Sequence, residues 1–188
     1  MLSVRSVHLS SSSDATYDPD GEYFDLQEQR GEEPFERVLL REEGTAMGAG
    51  WATMMEEDAR ALLDAAGLDD DEQLSLTLCD DPYIQKLNRE WRKIDKPTDV
   101  LSFPMDDEQL LGDLVISLDT AQRQAEERQH TARDELRVLM VHGILHLLGY
   151  DHETTREEYD EMRAAERKLL NRLGWVGQGL IAYAEEDS

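Results

Sequence analysis

Three of the five histidines of this chain lie close together in the stretch VHGILHLLGYDH. His142 and His146 are four residues apart, and on an α-helix such residues project from the same face, roughly 6 Å apart along the axis. Gly149 can take the left-handed conformation that turns a chain sharply after a helix. Because that turn brings His152 back towards the other two imidazoles, the sequence predicts three nitrogen ligands around one metal ion.

Three neutral nitrogen ligands suit Zn²⁺, and a site with three protein ligands keeps a fourth position open for solvent. Zinc can lower the pKa of a bound water to about 7, which provides a hydrolytic nucleophile at neutral pH. We therefore predict one zinc ion per chain, bound by His142, His146 and His152. Nickel, copper and iron also accept imidazole ligands, so other transition metals remain alternatives.

The residue after the first histidine bears on the reaction. Zinc peptidases with the same histidine spacing place a glutamate there as the general base. In this chain the position is Gly143, which has no side chain that could move a proton. A peptidase-like zincin is therefore the weaker reading of the histidine cluster.

A second group of candidate residues lies upstream, in LNREWRKIDKPTDVLSFP. This stretch contains the densest local positive charge in the sequence, from Arg89, Arg92, Lys93 and Lys96. A guanidinium can bind a phosphate through two parallel hydrogen bonds. A solvated helix face accounts for most of these cations, while for Arg92 the pattern leaves a solvated position and a phosphate-binding role equally open.

Hydrophobic periodicity predicts the elements that position these residues. Strands are predicted in FERVLL, QLSLTLCD (half-buried), TDVLSFP and LGDLVIS, and helices in WATMMEEDARALLDAAG, DPYIQKLNREWRKID and DTAQRQAEERQ, the last capped by Asp119. The histidine helix is predicted to begin at Thr131 in a capping-box-like start and to end at Gly149. A last helix should run from Thr154 or Thr155 to about Leu173. The predicted fold is α+β, a small mixed sheet packed by several helices mostly on one face, with a zincin-like metal-binding helix.

Composition divides the chain into three parts. Residues 1–34 are serine-rich and acidic and are predicted to be a disordered extension, residues 35–177 a single metal-dependent domain, and residues 178–188 an acidic tail. With 19 Lys+Arg against 43 Asp+Glu, the net charge is −24. This balance argues against a general nucleic-acid binder, and it leaves open a salt-rich cytoplasm in which ions screen the repulsion.

The lack of a recognisable secretory signal or membrane span, together with the single cysteine, suggests a cellular compartment. The N-terminal residues lack an apolar segment typical of a secretory signal, and no apolar run approaches the length of a membrane span. Cys79 is the only cysteine and lies in an apolar run, where a buried thiol is the favoured reading. We therefore expect a cytoplasmic protein with no membrane partner.

In this order, LNREWRKIDKPTDVLSFP, LGDLVIS and HGILHLLGYDH resemble the YbeY family of bacterial ribosomal-RNA maturation endoribonucleases, over about residues 74–175. The resemblance implies a zinc ion on His142, His146 and His152, and a catalytic arginine at Arg92. It implies a single-strand-specific endoribonuclease in 3′-end maturation of small-subunit rRNA and in ribosome quality control. The implied partners are ribosomal RNA, the small ribosomal subunit, one of its proteins and an Era-type GTPase.

The mechanism has two open points at the level of sequence. Asp151 and Glu153 are candidates for the general base, and Asp151 is equally a candidate for holding a ligand imidazole. The nucleophile is either water or the 2′-hydroxyl of the RNA. A ribosome-assembly factor with a mainly structural metal is the alternative to an enzyme, although structural zinc sites usually have four protein ligands and no fourth is evident here.

Overall fold

The computed structural model describes residues 35–45, 49–107, 109–152 and 154–186. Its strands are β1 (Val38–Glu43), β2 (Gln73–Cys79), β3 (Val100–Pro104) and β4 (Leu110–Ser117). Its α-helices are α1 (Ala49–Ala66), α2 (Asp81–Leu87), α3 (Leu118–Glu127), α4 (Ala132–Leu147), α5 (Arg156–Arg172) and α6 (Leu180–Glu186). A π-helical turn, Asn88–Arg92, follows α2 directly.

The four strands form one mixed sheet in the order β1-β2-β4-β3. β1, β2 and β4 are mutually parallel, and β3 pairs with β4 in the antiparallel direction. β3 is therefore an edge strand, with Ser102 opposite Leu114 and Phe103 opposite Asp113. The predicted α+β class with a small mixed sheet is confirmed.

The main hydrophobic core lies on the sheet face that carries Leu76 and Leu114, where residues of α1, α4 and α5 pack. A smaller cluster lies on the opposite face, where Ile84 of α2 packs with Cys79 and Val115. The predicted half-buried character of β2 is wrong, because this strand is central and both of its faces are covered. Cys79 is buried, as expected for a structural thiol, and burial raises its pKa to about 12.

Helix α4 begins and ends as its sequence predicts. The Thr131 hydroxyl accepts a hydrogen bond from the backbone N–H of Asp134, 3.2 Å away. At the other end Gly149 has φ +86°, and its N–H and that of Tyr150 donate to the carbonyls of His146 and Leu145. This is the Schellman arrangement, in which a left-handed residue satisfies the last helical carbonyls.

Two predicted helix boundaries differ from the structure. α3 is capped by the Ser117 hydroxyl, which accepts from the N–H of Thr120, whereas Asp119 lies within the first turn. The single helix predicted over DPYIQKLNREWRKID ends as an α-helix at Leu87 and continues as the π-helical turn. For α5 the predicted cap is confirmed, because the Thr155 hydroxyl accepts from the N–H of Glu158.

The chain end contributes to the core. Residues 178–188 are assigned to an acidic tail from composition, but residues 180–186 form α6, and its Ile181 is 2% exposed within the main core. The apolar residues at the start of α6 account for this packing. The predicted extension, residues 1–34, lies outside the described residues. No helix in the described ranges is both long and apolar enough to cross a bilayer.

Candidate metal centre

The structure brings the three predicted histidines together at the end of α4. His142 and His146 project from one face of the helix with their Nε2 atoms 3.1 Å apart, and one nitrogen from each of the three rings lies within 4.8 Å of the others. Zn–N bonds of about 2.0–2.1 Å in a tetrahedron imply nitrogen–nitrogen separations of about 3.3 Å. The spacing of these imidazoles therefore fits a single metal ion.

Hydrogen bonds at the far side of two rings favour the same conclusion. The Nδ1 atom of His142 lies 2.8 Å from Glu166 Oε1, and Nδ1 of His146 lies 3.0 Å from the carbonyl oxygen of Tyr150. Because both oxygens accept, each Nδ1 carries the proton, and each Nε2 keeps a lone pair directed at the common point. The rings thus have the tautomer that a metal ligand needs.

Glu166 contacts the histidine cluster, and the spacing of the histidines does not identify it. Its side chain is 1% exposed, and while one carboxylate oxygen meets His142, the other accepts from the backbone N–H of Ile181, 3.2 Å away. It therefore connects α5, α4 and α6. The signal was present, since Glu166 follows Met162 by four residues and precedes Leu169 by three, within the buried stripe of α5. A carboxylate in such a stripe requires a partner.

His146 is held in its neutral form. Burial, together with charge repulsion from the neighbouring rings of His142 and His152, lowers the pKa of this imidazole to about 4. A neutral imidazole with an unprotonated Nε2 is the form that binds a metal. The site therefore needs no proton removed from His146 at neutral pH before a metal ion binds.

Asp151 contacts the loop that carries the third histidine. Its Oδ1 atom accepts from the backbone N–H of His152 at 2.6 Å, and its Oδ2 atom accepts from the hydroxyl of Thr154 at 2.7 Å. These contacts fix the path of the loop after Gly149. A role for Asp151 as general base stays a prediction, and Glu153 lies outside the described residues.

The three histidines line an open cavity of about 480 Å³ together with Arg92. Within the described part of the chain, the Arg92 guanidinium makes no ion pair or hydrogen bond. The neighbouring cations are engaged, because Arg89 lies 3.6 Å from Asp95 and the Lys93 ammonium donates to the carbonyl of Glu90. Arg92 is thus available to an anion in this cavity.

The π-helical turn Asn88–Arg92 ends at Arg92, which lines the cavity of the histidines. Asn88, at the start of the turn, is 2% exposed, and its amide donates to the carbonyl of Lys96 at 2.8 Å. Lys93 ends the turn with φ +62°, a left-handed conformation. The Asn88 hydrogen bond and the left-handed Lys93 therefore fix the two ends of the turn. Single π-helical turns are frequent at functional sites.

Gly143 lies where α4 crosses the sheet. A Cβ atom at this position would lie 2.1 Å from Leu114 Cδ1 and 3.1 Å from Ser102 Oγ. The absence of a side chain therefore allows α4 to approach β4 and β3 closely. The sheet fills the space that a peptidase glutamate after His142 would need.

Comparison with known proteins identifies the family. A model of the family described as Endoribonuclease YbeY matches residues 41–174. The chain belongs to the YbeY family. Endoribonuclease YbeY of Aquifex aeolicus is 50% identical over 123 residues, which cover 63% of this chain and 81% of that protein. Endoribonuclease YbeY of Heliobacterium modesticaldum is 44% identical over 144 residues, 68% of this chain and 86% of that protein.

Two further comparisons differ in coverage or in similarity. The Arabidopsis thaliana protein named Endoribonuclease YBEY, chloroplastic, is 52% identical over 118 residues, but the match spans 60% of this chain and only 20% of that protein. A solution structure of a Thermotoga maritima protein is 26% identical, with a TM-score of 0.48 and coverage of 80% of this chain and 97% of that chain. The YbeY match includes the cavity residues Arg92, His142, His146 and His152.

Proposed function

We propose that this chain is a zinc-dependent, single-strand-specific endoribonuclease that matures the 3′ end of small-subunit rRNA and takes part in ribosome quality control. Membership of an endoribonuclease family supports the reaction class. The observation that carries the proposal is the cavity in which three imidazole nitrogens and the Arg92 guanidinium, which has no partner among the described residues, meet. The three imidazoles suit a metal cation, and the Arg92 guanidinium suits the RNA phosphate at which cleavage would occur.

Each residue of the cavity has a distinct role in this proposal. A zinc ion on the three histidines would polarise a phosphate oxygen and lower the pKa of a water molecule. Glu166 keeps the His142 ring in its ligand tautomer. Arg92 donates two parallel hydrogen bonds to the phosphate and stabilises the negative charge that develops on it during cleavage. Asp151, which lines the same cavity, is the candidate acceptor for the proton of the nucleophile.

The proposed partners follow from the substrate. We propose that the chain binds the small ribosomal subunit, one of its proteins and an Era-type GTPase. We also propose that it acts in the cytoplasm. A tagged form of the chain should co-sediment with small subunits, and sedimentation with none of these partners would contradict this assignment.

Two rival functions are less well supported. A mainly structural metal would usually have four protein ligands, yet within the described residues the group of His, Cys, Asp and Glu side chains close enough to share an ion contains three members. A peptidase would need a base next to His142, where Gly143 lies against Leu114. Both observations favour a site with an open position and no peptidase base.

The test compares cleavage of small-subunit rRNA by the wild type and by single-residue variants. Arg92→Ala should bind metal normally and cleave about 10²- to 10³-fold more slowly, the usual effect of removing a donor to developing charge. His142→Ala should lose both metal and cleavage. Arg60→Ala is the matched control, because Arg60 is an exposed arginine of α1 whose ion pair with Glu56 is worth little.

Two results would contradict the proposal. Unchanged cleavage by Arg92→Ala and His142→Ala would remove this cavity from the reaction. Cleavage of an unstructured protein while RNA stays intact would restore the peptidase reading. The RNA termini identify the nucleophile, since a 2′,3′-cyclic phosphate forms by attack of the 2′-hydroxyl and not by direct attack of water.

A further inference from the structure

Trp91 is unusually exposed for its size. It is 64% exposed, whereas Trp51 and Trp175 are partly buried. Its ring packs edge-on against Phe103, with centroids 5.7 Å apart and an interplanar angle of 61°. Leaving most of an indole exposed to water is unfavourable, because its apolar surface stays hydrated. Exposed aromatic residues of this kind commonly mark a binding surface.

Trp91 lies between two cavities that meet at the edge strand. It lines a cavity of about 500 Å³ on the sheet face opposite α4, together with Phe103 and Met105. The next residue, Arg92, lines the cavity of the histidines. Both cavities include Ser102 and Pro104 of β3. A nucleic-acid strand with one phosphate at Arg92 would therefore place a neighbouring nucleotide beside Trp91.

The surroundings of Trp91 are basic in a strongly acidic chain. Arg89, Arg92 and Lys93 lie within two residues of it and Lys96 follows in the next loop, so residues 89–96 carry a net charge of +2 even with the acids Glu90 and Asp95. These residues make a local surface that attracts phosphate, although the net charge of the chain is −24. An aromatic ring beside a positively charged path is the usual arrangement for binding single-stranded nucleic acid.

We propose that Trp91 stacks on an unpaired nucleobase of the RNA, next to the nucleotide whose phosphate Arg92 holds. The inference rests on the proposed endoribonuclease function and deepens it, because it explains the choice of single strands. A base inside a duplex is already stacked on its neighbours and has no free face for the indole. Stacking needs no hydrogen bonds to the base, so it tolerates any sequence.

The same charges argue against a second copy of the chain as the occupant. In a symmetric dimer a surface patch meets the same patch on its partner. Two copies joined at Trp91 would bring Arg89, Arg92 and Lys93 of one chain against the same cations of the other. Single-stranded RNA supplies a flat base that can stack on the indole and negative charge that complements these cations.

The test measures RNA binding in the presence of a chelator, so that the strand stays intact. The probes are a labelled single strand of about 12 nucleotides and the same strand annealed to its complement. Trp91→Ala should weaken binding of the single strand about tenfold, and Trp91→Phe should restore most of it, because phenyl also stacks. Binding of the duplex should not change. Quenching of tryptophan fluorescence by the single strand should disappear in Trp91→Phe.

Abasic nucleotides then test stacking directly. Removing the base at one position should weaken wild-type binding about tenfold, and the same removal should have no further effect in Trp91→Ala. Val176→Ala serves as the control, because Val176 is 90% exposed and lies on the loop between α5 and α6. It should bind RNA as the wild type does.

The outcomes separate this inference from the proposed function. If the metal-loaded wild type cleaves RNA and Trp91→Ala binds single strands equally well, stacking is excluded while the endoribonuclease function stands. If the wild type neither binds nor cleaves RNA, both fall. If Trp91→Ala instead abolishes self-association or binding of a ribosomal protein and leaves RNA binding intact, the surface belongs to that partner.

Discussion

At the residue scale, Glu166 provides the sharpest test of the metal centre. Glu166→Gln keeps the size of the side chain, but its amide presents one oxygen where the carboxylate presents two to His142 and Ile181. We expect metal affinity to fall about 10- to 100-fold, as is typical when the partner of a ligand histidine is changed. Competition with a chromogenic chelator measures this affinity. Glu161→Gln, an exposed change on the same helix, should have no effect.

The sequence predicts that the three histidines lie together, but it does not predict which side chain supports them. The spacing of His142 and His146 and the turn at Gly149 are local, so periodicity alone places the imidazoles together. Glu166 lies 24 residues after His142, and its contact depends on how α5 packs against α4. A contact of this kind follows from tertiary structure, which one sequence does not specify. A metal affinity unchanged in Glu166→Gln would show that the ring is held by other groups.

At the scale of elements, an ion-pair cluster joins α1 to the start of α4. Asp58 is 4% exposed, and its carboxylate accepts two hydrogen bonds each from Arg133 and Arg137, at 2.8–2.9 Å. Burial raises the pKa of Asp58, but the hydrogen bonds and charges of the two arginines outweigh burial and leave the pKa below its ordinary value of 3.8. The cluster therefore needs the ionised carboxylate.

We expect Asp58→Asn to lower the free energy of unfolding by about 3 kcal/mol at neutral pH, since it leaves two guanidinium groups without their buried partner. Because the folded pKa is depressed, this stabilisation is fully present above the unfolded pKa near 3.8 and is lost as pH falls through the lower folded pKa. Urea unfolding should show the two proteins converging below pH 4. Glu161→Gln, at an exposed position of α5, is the control, and a constant difference at all pH values would contradict this assignment.

Elements were predictable where one local pattern decides them. Thr131 and Gly149 bound α4 because capping is a matter of a few neighbouring residues. The burial of β2 was not predicted, because it depends on α2 covering the second face of the sheet. The sequence does not predict the π-helical turn either, since the hydrogen bond that closes it joins its first residue, Asn88, to Lys96 in the loop beyond its end. Composition indicates an acidic tail over residues 178–188, because it does not show that Ile181 of α6 packs in the core.

At the scale of the whole molecule, where the net charge is −24, salt should act on folding and on RNA binding in opposite directions. Repulsion among surface carboxylates destabilises the compact state, and ions relieve it as the Debye length falls from about 10 Å at 0.1 M to about 3 Å at 1 M salt. Phosphate contacts weaken over the same range. For single strands, the logarithm of the binding constant falls by about 0.7 per phosphate contact for each tenfold rise in salt concentration. Stability and affinity should therefore have opposite dependences on salt.

We expect the temperature of unfolding to rise steadily between 0.1 and about 1 M KCl. Thermal unfolding followed by circular dichroism measures it. Changing the exposed Glu127 and Glu161 to glutamine should raise the unfolding temperature in dilute buffer and reduce the gain from salt, because less repulsion remains to be screened. A flat or falling temperature would show that repulsion does not limit folding, and cleavage that is fastest in dilute buffer would count against a salt-rich cytoplasm. If cleavage instead persists in molar KCl, binding depends on contacts that salt does not screen, which is what base stacking at Trp91 supplies.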